Sequence, residues 1–349
     1  MPSPWAEPDF DDHEFVHFVT DRASGLRAII AVHSTHLGPG AGGVRFWNYA
    51  QDEAAVVDAL RLSRGMSYKN AMAGLRLGGG KAVILAGAER SKTPEMLAAY
   101  GRAIEGLGGR YVTAEDVGMT VGDMVAIARE TRHVSGLPVA AGAIGGDPGP
   151  HTSHGIFLGI KAGVRRALDK ESLAGLRIAV QGTGSVGGGV ARLAASEGAH
   201  LVVADLDTAR AESLAREVGG SAVPASDILG IEADVLSPCA LGAILTPDSI
   251  DALRTPLVAG GANNQLATPD CGERLHARGI LYAPDYVINA GGIINVASEY
   301  LGDTDPGIVK ARIDAIPVRL DEIWSESAAS GRDPAAVADR MARALIGRS

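Results

Sequence analysis

The sequence has few cysteines, few aromatic residues and no basic excess. Its two cysteines, Cys239 and Cys271, are too few for a disulfide framework or a thiolate metal site. The net charge of −9 and the lack of a basic stretch argue against nucleic-acid binding. No apolar run approaches the ~20 residues that span a bilayer, and the acidic N-terminal segment lacks the apolar core of a secretory signal. We therefore expect a cytoplasmic protein with no nucleic-acid or membrane partner.

Glycine, in contrast, is abundant. It accounts for 46 of 349 residues, and 46% of the residues are hydrophobic. There is no G-X-Y period, and the apolar content is too high for a disordered chain. At ~100–200 residues per domain, the length fits two domains, which we place at 1–145 and 146–324. A helical tail, 325–349, is expected to join the first domain.

Strands and helices alternate along both halves, which predicts an α/β fold. In the first half we expect strands at 14–19, 26–32, 81–85 and 111–113, helices at 52–66, 93–107 and 120–130, and a glycine-rich loop at 37–45. A Gly/Pro-rich linker at 142–150 is typical of a hinge. In the second half we expect a helix at 153–168, strands at 177–181, 201–204, 233–236, 257–259 and 280–283, and tail helices at 306–324 and 334–345. The βαβ alternation there predicts a doubly wound parallel sheet.

A dinucleotide-binding fingerprint opens this second half. The segment VQGTGSVG places Gly182, Gly184, Ser185, Val186 and Gly187 between an apolar strand and a helix. The three glycines suit a tight turn, a close approach to a pyrophosphate and close helix–strand packing. Asp205 ends the next strand, 18 residues after Gly187, where an acid accepts the ribose 2′-OH and disfavours NADP. A bare βα turn without a ligand is the alternative. Two more glycines, Gly188 and Gly189, indicate close packing in the helix.

Two lysines in the first half accompany glycine-rich segments. Lys69 and Lys81 lie twelve residues apart in SRGMSYKNAMAGLRLGGGKAVI, and Asp116 follows in YVTAEDVGM. Lysines in such loops are often merely solvated. Together with GPGAGGVRF, VQGTGSVG, SPCALGAI, AGGANNQL and YAPDYVINAGGIINVA, these segments cover residues 26–300 in an order that resembles the Glu/Leu/Phe/Val amino-acid dehydrogenase superfamily. The leucine, valine and phenylalanine dehydrogenase branch is the most similar part of it.

The resemblance implies oxidative deamination, in which an L-2-amino acid, NAD and water give a 2-oxo acid, ammonia and NADH. It implies that Lys81 activates water, that Asp116 shuttles protons, and that Lys69 binds the substrate carboxylate with the backbone of Gly42 and Gly43. A lysine base must be partly neutral, and we expect burial and the charge of Lys69 to lower the pKa of Lys81. The first domain would then be the substrate and oligomerisation domain, the second a Rossmann-type NAD-binding domain, and the protein a homo-oligomer.

The resemblance also assigns positions around the cofactor and the substrate. Asn263 and Thr152 would face the nicotinamide amide, Cys239 and Ala240 the nicotinamide ribose, and Asn289 the substrate head. The side-chain pocket would consist of apolar residues, namely Ala41, Met66, Ala114, Ile293 and Val296. An apolar pocket excludes glutamate, because it leaves the second carboxylate unpaired. Leucine, valine or isoleucine is favoured, and phenylalanine or another aromatic amino acid remains open.

Other chemistries fit less well. The histidine pairs His33/His36 and His151/His154 lack a cysteine or acid cluster at ligand spacing, so no metal is expected. A 2-hydroxy-acid dehydrogenase would require a histidine base paired with an acid. A non-catalytic NAD-sensing protein would have lost Lys81 or Asp116, and both are present.

Overall fold

The computed structural model describes residues 5, 7–87, 89, 91–138, 144–240, 242–303 and 305–348. They form two units. The first comprises Met1–Gly146, Asn295–Pro306 and Ala342–Ser349, and the second Asp147–Ile294 and Gly307–Met341. Within the part of the chain just given, no helix is both long enough and apolar enough to span a membrane.

The first unit is built on a mixed five-stranded sheet. Its strands are β1 (Phe15–Asp21), β2 (Leu26–Ser34), β3 (Gly40–Trp47), β4 (Gly78–Leu85) and β5 (Tyr111–Glu115), in the spatial order β1-β2-β4-β3-β5. Strand β2 pairs antiparallel with β1 and β4, and β3 pairs parallel with β4 and β5. Strand β4 is therefore central, with Lys81 in its middle.

Side-chain alternation along these strands gives the sheet two buried faces. Helix α1 (Asp52–Met72) covers one of them, while α2 (Pro94–Glu105) and α3 (Val121–Ile127) pack on the other. The α1 face buries Ile29, Ala31 and Val83 against Ala55, Ala59 and Leu60. Lys81 lies two residues before Val83 and so belongs to this face.

The helix starts agree with the capping signals in the sequence. Thr93 accepts a hydrogen bond from the Met96 amide and Pro94 takes the first position of α2. Thr120 and Asp123 form a capping box at α3. Helix α1 extends beyond 66 to Met72, so Lys69 lies in its last turn rather than after it.

The prediction of a glycine-rich loop at 37–45 is wrong. Residues Gly40–Trp47 form β3, hydrogen-bonded to strands on both sides, and the three glycines before Lys81 also belong to a strand, β4. Glycine has a low intrinsic preference for strands, which explains the error. Tertiary packing overrides that preference, because the neighbouring strands leave no room for larger side chains.

The second unit contains a parallel six-stranded sheet. Its strands are β6 (Arg177–Gln181), β7 (His200–Ala204), β8 (Ser221–Ala222), β9 (Val235–Pro238), β10 (Leu257–Val258) and β11 (Leu281–Tyr282), in the order β11-β10-β9-β6-β7-β8. All its pairings are parallel. The strand order reverses between β6 and β9, which makes this a doubly wound sheet with its switch point beside β6. The predicted fold class is confirmed.

The helices of the second unit surround this sheet. They are α4 (Gly149–Leu168), α5 (Ser185–Ser196), α6 (Thr208–Glu217), α7 (Pro247–Ala252), α8 (Asp270–Ala277), α9 (Asp285–Ile288), α11 (Pro306–Asp314) and α12 (Ile316–Ser330). Two further helices, α10 (Gly291–Tyr300) and α13 (Pro334–Leu345), each run from the second unit into the first. The expected linker at 142–150 falls partly outside the described residues, and Gly149 already opens α4.

The division of the tail differs from the expected one. The tail helix expected at 306–324 is two helices, α11 and α12, and most of the segment 325–349 lies in the second unit. Trp324 explains this placement, since its buried indole donates to the carbonyl of Tyr282 at 2.9 Å. The segment Asn295–Pro306, expected in the dinucleotide domain, belongs to the first unit.

The segment that follows α13 is anchored beneath the sheet of the first unit. Arg348 donates to the carbonyls of Asp12 and His33, each at 2.8 Å, and its guanidinium also contacts the ring Nε2 of His33. The other ring nitrogen of His33 lies 2.8 Å from the hydroxyl of Ser67 on α1. Burial, aided by the charge of Arg348, lowers the pKa of His33 to about 3.

A second imidazole, His13, packs edge-on against His33. The ring centroids are 4.9 Å apart, and His13 Nε2 contacts the carbonyl of Leu60 and the hydroxyl of Ser63. Burial lowers the pKa of His13 as well. Both rings are therefore held neutral near pH 7, with Asp11 and Arg343 among the charges beside them.

We expect stability to fall on acidification because of His33. The unfolded imidazole takes up a proton near pH 6.5, whereas the buried one does so only near pH 3, so stability present above pH 6.5 is lost across that window. One proton contributes a slope of about 1.4 kcal/mol per pH unit. Urea unfolding between pH 7.5 and 4.5 should show a smaller loss for His33→Asn than for the wild type.

His17→Asn removes an exposed imidazole from β1 and controls for the loss of a histidine as such. An unchanged pH dependence in His33→Asn would contradict the assignment.

Candidate active site

Glycine residues of β3 and β4 leave backbone without side chains at the middle of the first unit's sheet. A Cβ at Gly42 would come within 1.9 Å of the carbonyl oxygen of Gly80 and within 3.0 Å of Met66 Cγ on α1. The hydroxyl of Tyr111 donates to the Gly42 carbonyl at 2.8 Å, and its ring packs on Gly80. Glycine at position 42 therefore lets β3 lie close to α1 and to Gly80, the residue that precedes Lys81 on β4.

Gly43 makes room for an acid. A Cβ at this position would lie 2.8 Å from Cβ of Asp116, the residue that follows β5. The pairing of Gly43 with Ala114 brings the end of β5 beside β3. Asp116 consequently lies over Gly43, and its carboxylate reaches across β3.

The ion pair between buried Lys81 and partly buried Asp116 is the chemical centre of this unit. Lys81 Nζ lies 2.8 Å from Asp116 Oδ2, and the lysine side chain is 8% exposed. Burial lowers the pKa of Lys81, although the charge of Asp116 opposes the shift. Burial alone would raise the pKa of Asp116, but Lys81 and Arg45 hold it below its usual value. The pair therefore combines an ionised carboxylate with an ammonium that loses its proton more readily than that of an ordinary lysine.

Three residues of this network were missed by the sequence analysis. Arg45 Nε donates to Asp116 Oδ2 at 3.2 Å, and its Nη1 donates to Asp58 Oδ2 at 2.7 Å. The hydroxyl of Tyr49 donates to the same Asp58 oxygen at 2.5 Å. The charge of Arg45 lowers the pKa of Lys81, a contribution expected from Lys69. The one available signal was an arginine two residues after Gly43 in GAGGVR.

The residues assigned to substrate binding divide between the units. Ala41, Gly42 and Gly43 lie on β3, Met66 and Lys69 on α1, and Ala114 on β5. Val296 lies on the part of α10 in the first unit and is buried. Asn289 and Ile293 belong to the second unit.

The glycine turn of the second unit lies at the switch point of its sheet. Gly182 follows β6 with a φ of +88°, which favours glycine, and a Cβ there would lie 2.7 Å from Ala240 after β9. A Cβ at Gly187 would lie 1.9 Å from the carbonyl oxygen of Gly182. Gly184 has no heavy atom within 4 Å of its Cβ position, so its outer face is open. Ser185 and Val186 then begin α5.

This geometry has the form of an anion cradle. The amides of the first turn of α5 have no partner within the helix, and a helix N-terminus at a doubly wound switch point favours a phosphate. Of the two extra glycines, Gly189 packs closely, because a Cβ there would lie 2.3 Å from Ser153 Oγ on α4. The bare face at Gly184 is the observation that fits a dinucleotide pyrophosphate.

Asp205 is more heavily engaged than its expected role requires. Its Oδ2 accepts from the amide and the hydroxyl of Thr183 at 2.7 and 2.9 Å. Its Oδ1 accepts from the Asp207 amide at 3.0 Å and from Arg210 at 2.8 Å. Burial opposes ionisation, but Arg210 and these donors lower the pKa of Asp205. The acid is ionised and ordered at the end of β7.

Two asparagines are joined in the second unit. Asn289 Nδ2 donates to Asn263 Oδ1 at 2.8 Å and to the Gly261 carbonyl at 3.1 Å. The Oδ1 of Asn289 is buried with no protein partner. An orphaned buried acceptor is costly, which favours a hydrogen-bond donor from a bound molecule.

Thr152 and Cys239 occupy supporting positions. The Thr152 hydroxyl donates to the Pro148 carbonyl at 2.9 Å, and a Cβ at Gly292 would lie 2.5 Å from Thr152 Oγ1. Burial raises the pKa of Cys239, so its thiol suits packing rather than nucleophilic chemistry. Among the described residues, no group of three or more His, Cys, Asp or Glu side chains has the arrangement of a metal site.

Comparison with known proteins supports these assignments of fold. Residues 13–133 match the family model described as the Glu/Leu/Phe/Val dehydrogenase dimerisation domain, and residues 204–311 match the model described as Glutamate/Leucine/Phenylalanine/Valine dehydrogenase. The chain is 46% identical over 337 residues to a leucine dehydrogenase from Bacillus subtilis (strain 168), covering 97% of this chain and 92% of that protein.

Two further relatives act on other amino acids. A valine dehydrogenase from Streptomyces coelicolor is 46% identical over 339 residues, covering 96% of this chain and 92% of that protein. The crystal structure of an L-tryptophan dehydrogenase from Nostoc punctiforme superimposes with a TM-score of 0.84 at 40% identity, covering 96% of each chain.

Gly42→Ala should destabilise the protein by about 1–3 kcal/mol or more. The new Cβ would overlap the Gly80 carbonyl oxygen, so strands β3 and β4 would have to shift apart. Gly65→Ala is the matched control. It lies in α1 with no heavy atom within 4 Å of its Cβ position, so alanine should stabilise by about 0.5–1 kcal/mol. Urea unfolding measures both, and equal stabilities would refute the close approach.

Proposed function

Since the chain belongs to the Glu/Leu/Phe/Val dehydrogenase family, we propose that it catalyses the reversible NAD-dependent oxidative deamination of an apolar L-amino acid to its 2-oxo acid and ammonia. The observation that carries the proposal is the buried Lys81–Asp116 pair beside the bare backbone of Gly42 and Gly43. A lysine with a lowered pKa next to an ionised acid supplies a base and a proton carrier in one place.

Each residue then has a defined task. Once the substrate carbon has lost its hydride and become the carbon of an imine, neutral Lys81 accepts a proton from the water that adds to it, and Asp116 carries protons to and from the substrate nitrogen. Lys69, in the last turn of α1, pairs with the substrate carboxylate, and the backbone at Gly42 and Gly43 lies against it. Asn289 holds the substrate head through its unpartnered Oδ1. Burial of Lys81 excludes water that would stabilise its ammonium.

NAD is the cofactor that these residues suit. When bound, it would accept the hydride from the substrate carbon. The turn of Gly182, Gly184 and Gly187 with the first residues of α5 would hold the pyrophosphate, and Asp205 would accept the ribose hydroxyls and repel a 2′-phosphate. Thr152 and Asn263 would face the nicotinamide amide, and Cys239 and Ala240 its ribose.

The preferred substrate is a branched-chain amino acid. The family resemblance assigns four positions to the side chain of the substrate and implies that Met66 lies near them. None of the four bears a charge or a hydroxyl: they are Ala41, Ala114, Ile293 and Val296. The leucine and valine dehydrogenases at 46% identity support leucine, valine or isoleucine. The tryptophan dehydrogenase at 40% identity supports an aromatic substrate as the second candidate, and the small side chain of Ala41 would leave room for a larger substrate.

We also expect a homo-oligomer, since the first unit matches a model described as a dimerisation domain. A non-catalytic NAD-sensing protein would bind the cofactor without turnover, so activity measurements separate it from the proposal.

Gly184→Ala tests the cofactor site independently of turnover. Its extended backbone (φ −69°) and open surroundings accept an alanine in the free protein, whereas a bound pyrophosphate requires that space. We expect wild-type thermal stability and NADH binding weakened about tenfold or more by fluorescence titration.

The matched control is Gly230→Ala in the same unit, where a Cβ also meets no heavy atom within 4 Å. It should bind NADH like the wild type. Equal affinities in the two variants would favour a glycine turn without a ligand.

Turnover tests the reaction itself. With NAD, kcat/KM should be higher for L-leucine, L-valine and L-isoleucine than for L-phenylalanine and L-tryptophan, and glutamate should not react. Lys81→Ala should lose about 10²–10⁴-fold in kcat while NADH binding is retained, because Lys81 lies in the other unit. Full deaminating activity in Lys81→Ala would exclude the mechanism, and a clear preference for NADP would exclude the role of Asp205.

A further inference from the structure

The Lys81–Asp116 pair contains a conflict that the proposed mechanism has to resolve. A carboxylate oxygen 2.8 Å from the Lys81 ammonium favours the charged lysine, whereas a base must release its proton near the working pH. If Lys81 were the sole cation beside Asp116, its deprotonation would leave a largely buried carboxylate without a counter-charge, which is unfavourable.

Arg45 supplies a second cation on the same carboxylate oxygen. Its Nε donates to Asp116 Oδ2 at 3.2 Å, and its Nη1 donates to Asp58 Oδ2 at 2.7 Å. Tyr49 donates to the same Asp58 oxygen. A guanidinium does not lose its proton in proteins. Asp116 therefore keeps a cationic partner whether or not Lys81 is charged.

The sheet explains how these charges meet. Arg45 pairs with Val83 across β3 and β4, so it lies two residues along from Lys81 on the face covered by α1. Gly43 lies two residues before Arg45 on β3, and its missing side chain leaves the space for Asp116. Asp58 comes from α1, and its side chain, like that of Arg45, is about one-quarter exposed.

We propose that Arg45, anchored by Asp58 and Tyr49, is a positioning residue that fixes the Asp116 carboxylate and serves as its permanent counter-charge while Lys81 acts as the base. This inference rests on the proposed function. Arg45 acts through Asp116, and Asp58 with Tyr49 orients the guanidinium so that its Nε faces Asp116 rather than solvent.

The signs of the charges around Lys81 give opposite expectations for two substitutions. Burial and Arg45 lower the pKa of Lys81, while Asp116 at the end of β5 and Asp58 on α1 raise it. Lys69 belongs to the last turn of α1, and Tyr111 of β5 packs on Gly80 next to Lys81. Loss of Arg45 should therefore raise the pKa of Lys81, and loss of the Asp58 charge should lower it.

The experiment measures the Lys81 titration in two ways. Competitive acetylation followed by peptide mass spectrometry gives the midpoint for Lys81 in the substrate-free protein. The pH dependence of kcat for L-leucine with NAD gives it during turnover. We expect Arg45→Gln to move both midpoints up by about one pH unit, which is about a tenfold loss of kcat below the midpoint. Asp58→Asn should move them down by less.

Two further variants distinguish an effect on the Lys81 titration from a general effect on the structure. Arg45→Lys keeps the charge but not the fork that binds two carboxylates, so it should retain the wild-type midpoint with a lower kcat. Arg27→Gln removes an arginine from β2 that pairs with Asp52 on the same helix α1, more than half exposed, and should change neither quantity. If Arg45→Gln does not fold, Asp58→Asn and Arg45→Lys decide.

A lowered kcat with unmoved midpoints in Arg45→Gln, or an upward shift in Asp58→Asn, would overturn the inference. Failure of the proposed function is recognised separately. It would appear as a wild-type protein that turns over no apolar amino acid, while acetylation still reports whether Arg45 controls the proton on Lys81.

Discussion

Contact between glycine backbones is the constraint on which the first unit depends. Strands β3 and β4 carry glycines where they approach α1 and β5, and a single added carbon at Gly42 would overlap a neighbouring carbonyl. That closeness brings Lys81, Asp116 and Arg45, which belong to three different segments of chain, onto one face of the sheet. The absence of side chains thus defines the site as much as the charged groups that occupy it.

Charges of alternating sign then share a confined space. From Lys81 through Asp116 and Arg45 to Asp58, each cation is followed by an anion, and each contact lies within hydrogen-bond distance. Partly buried charges interact more strongly than solvated ones, so we expect a change of charge at Asp58 to shift the pKa of Lys81 although Arg45 and Asp116 lie between them. The second unit contains a simpler version, in which Asp205 is ordered by Thr183 and Arg210.

Local patterns in the sequence sufficed for much of this structure. The alternation of apolar strands and helices in the second half predicts the parallel sheet, because each of those signals acts over a few residues. Strand β3 was mistaken for a loop, since its glycines are explained only by neighbours that arrive from 78–80 and 111–116. The pairing of Arg45 with Asp58 and Asp116 was missed for the same reason: it follows from β5 pairing with β3 and from α1 packing against β3. The expected tail, 325–349, is divided between the units, with Ala342–Ser349 in the first and the preceding residues in the second, because the apolar positions of a helix do not specify which unit they cover.

The interleaving of the two units has a consequence for how the chain is made. The first unit draws on Met1–Gly146 but also on Asn295–Pro306 and Ala342–Ser349. During synthesis its sheet emerges early, yet the residues that cover His33 and contact Asp11 are added more than three hundred residues later. The second unit, nearly continuous in sequence, has most of its residues available before the first can close. During synthesis the first unit therefore passes through a partly assembled state in which His13 and His33 are not yet covered. Aggregation competes with folding in such a state.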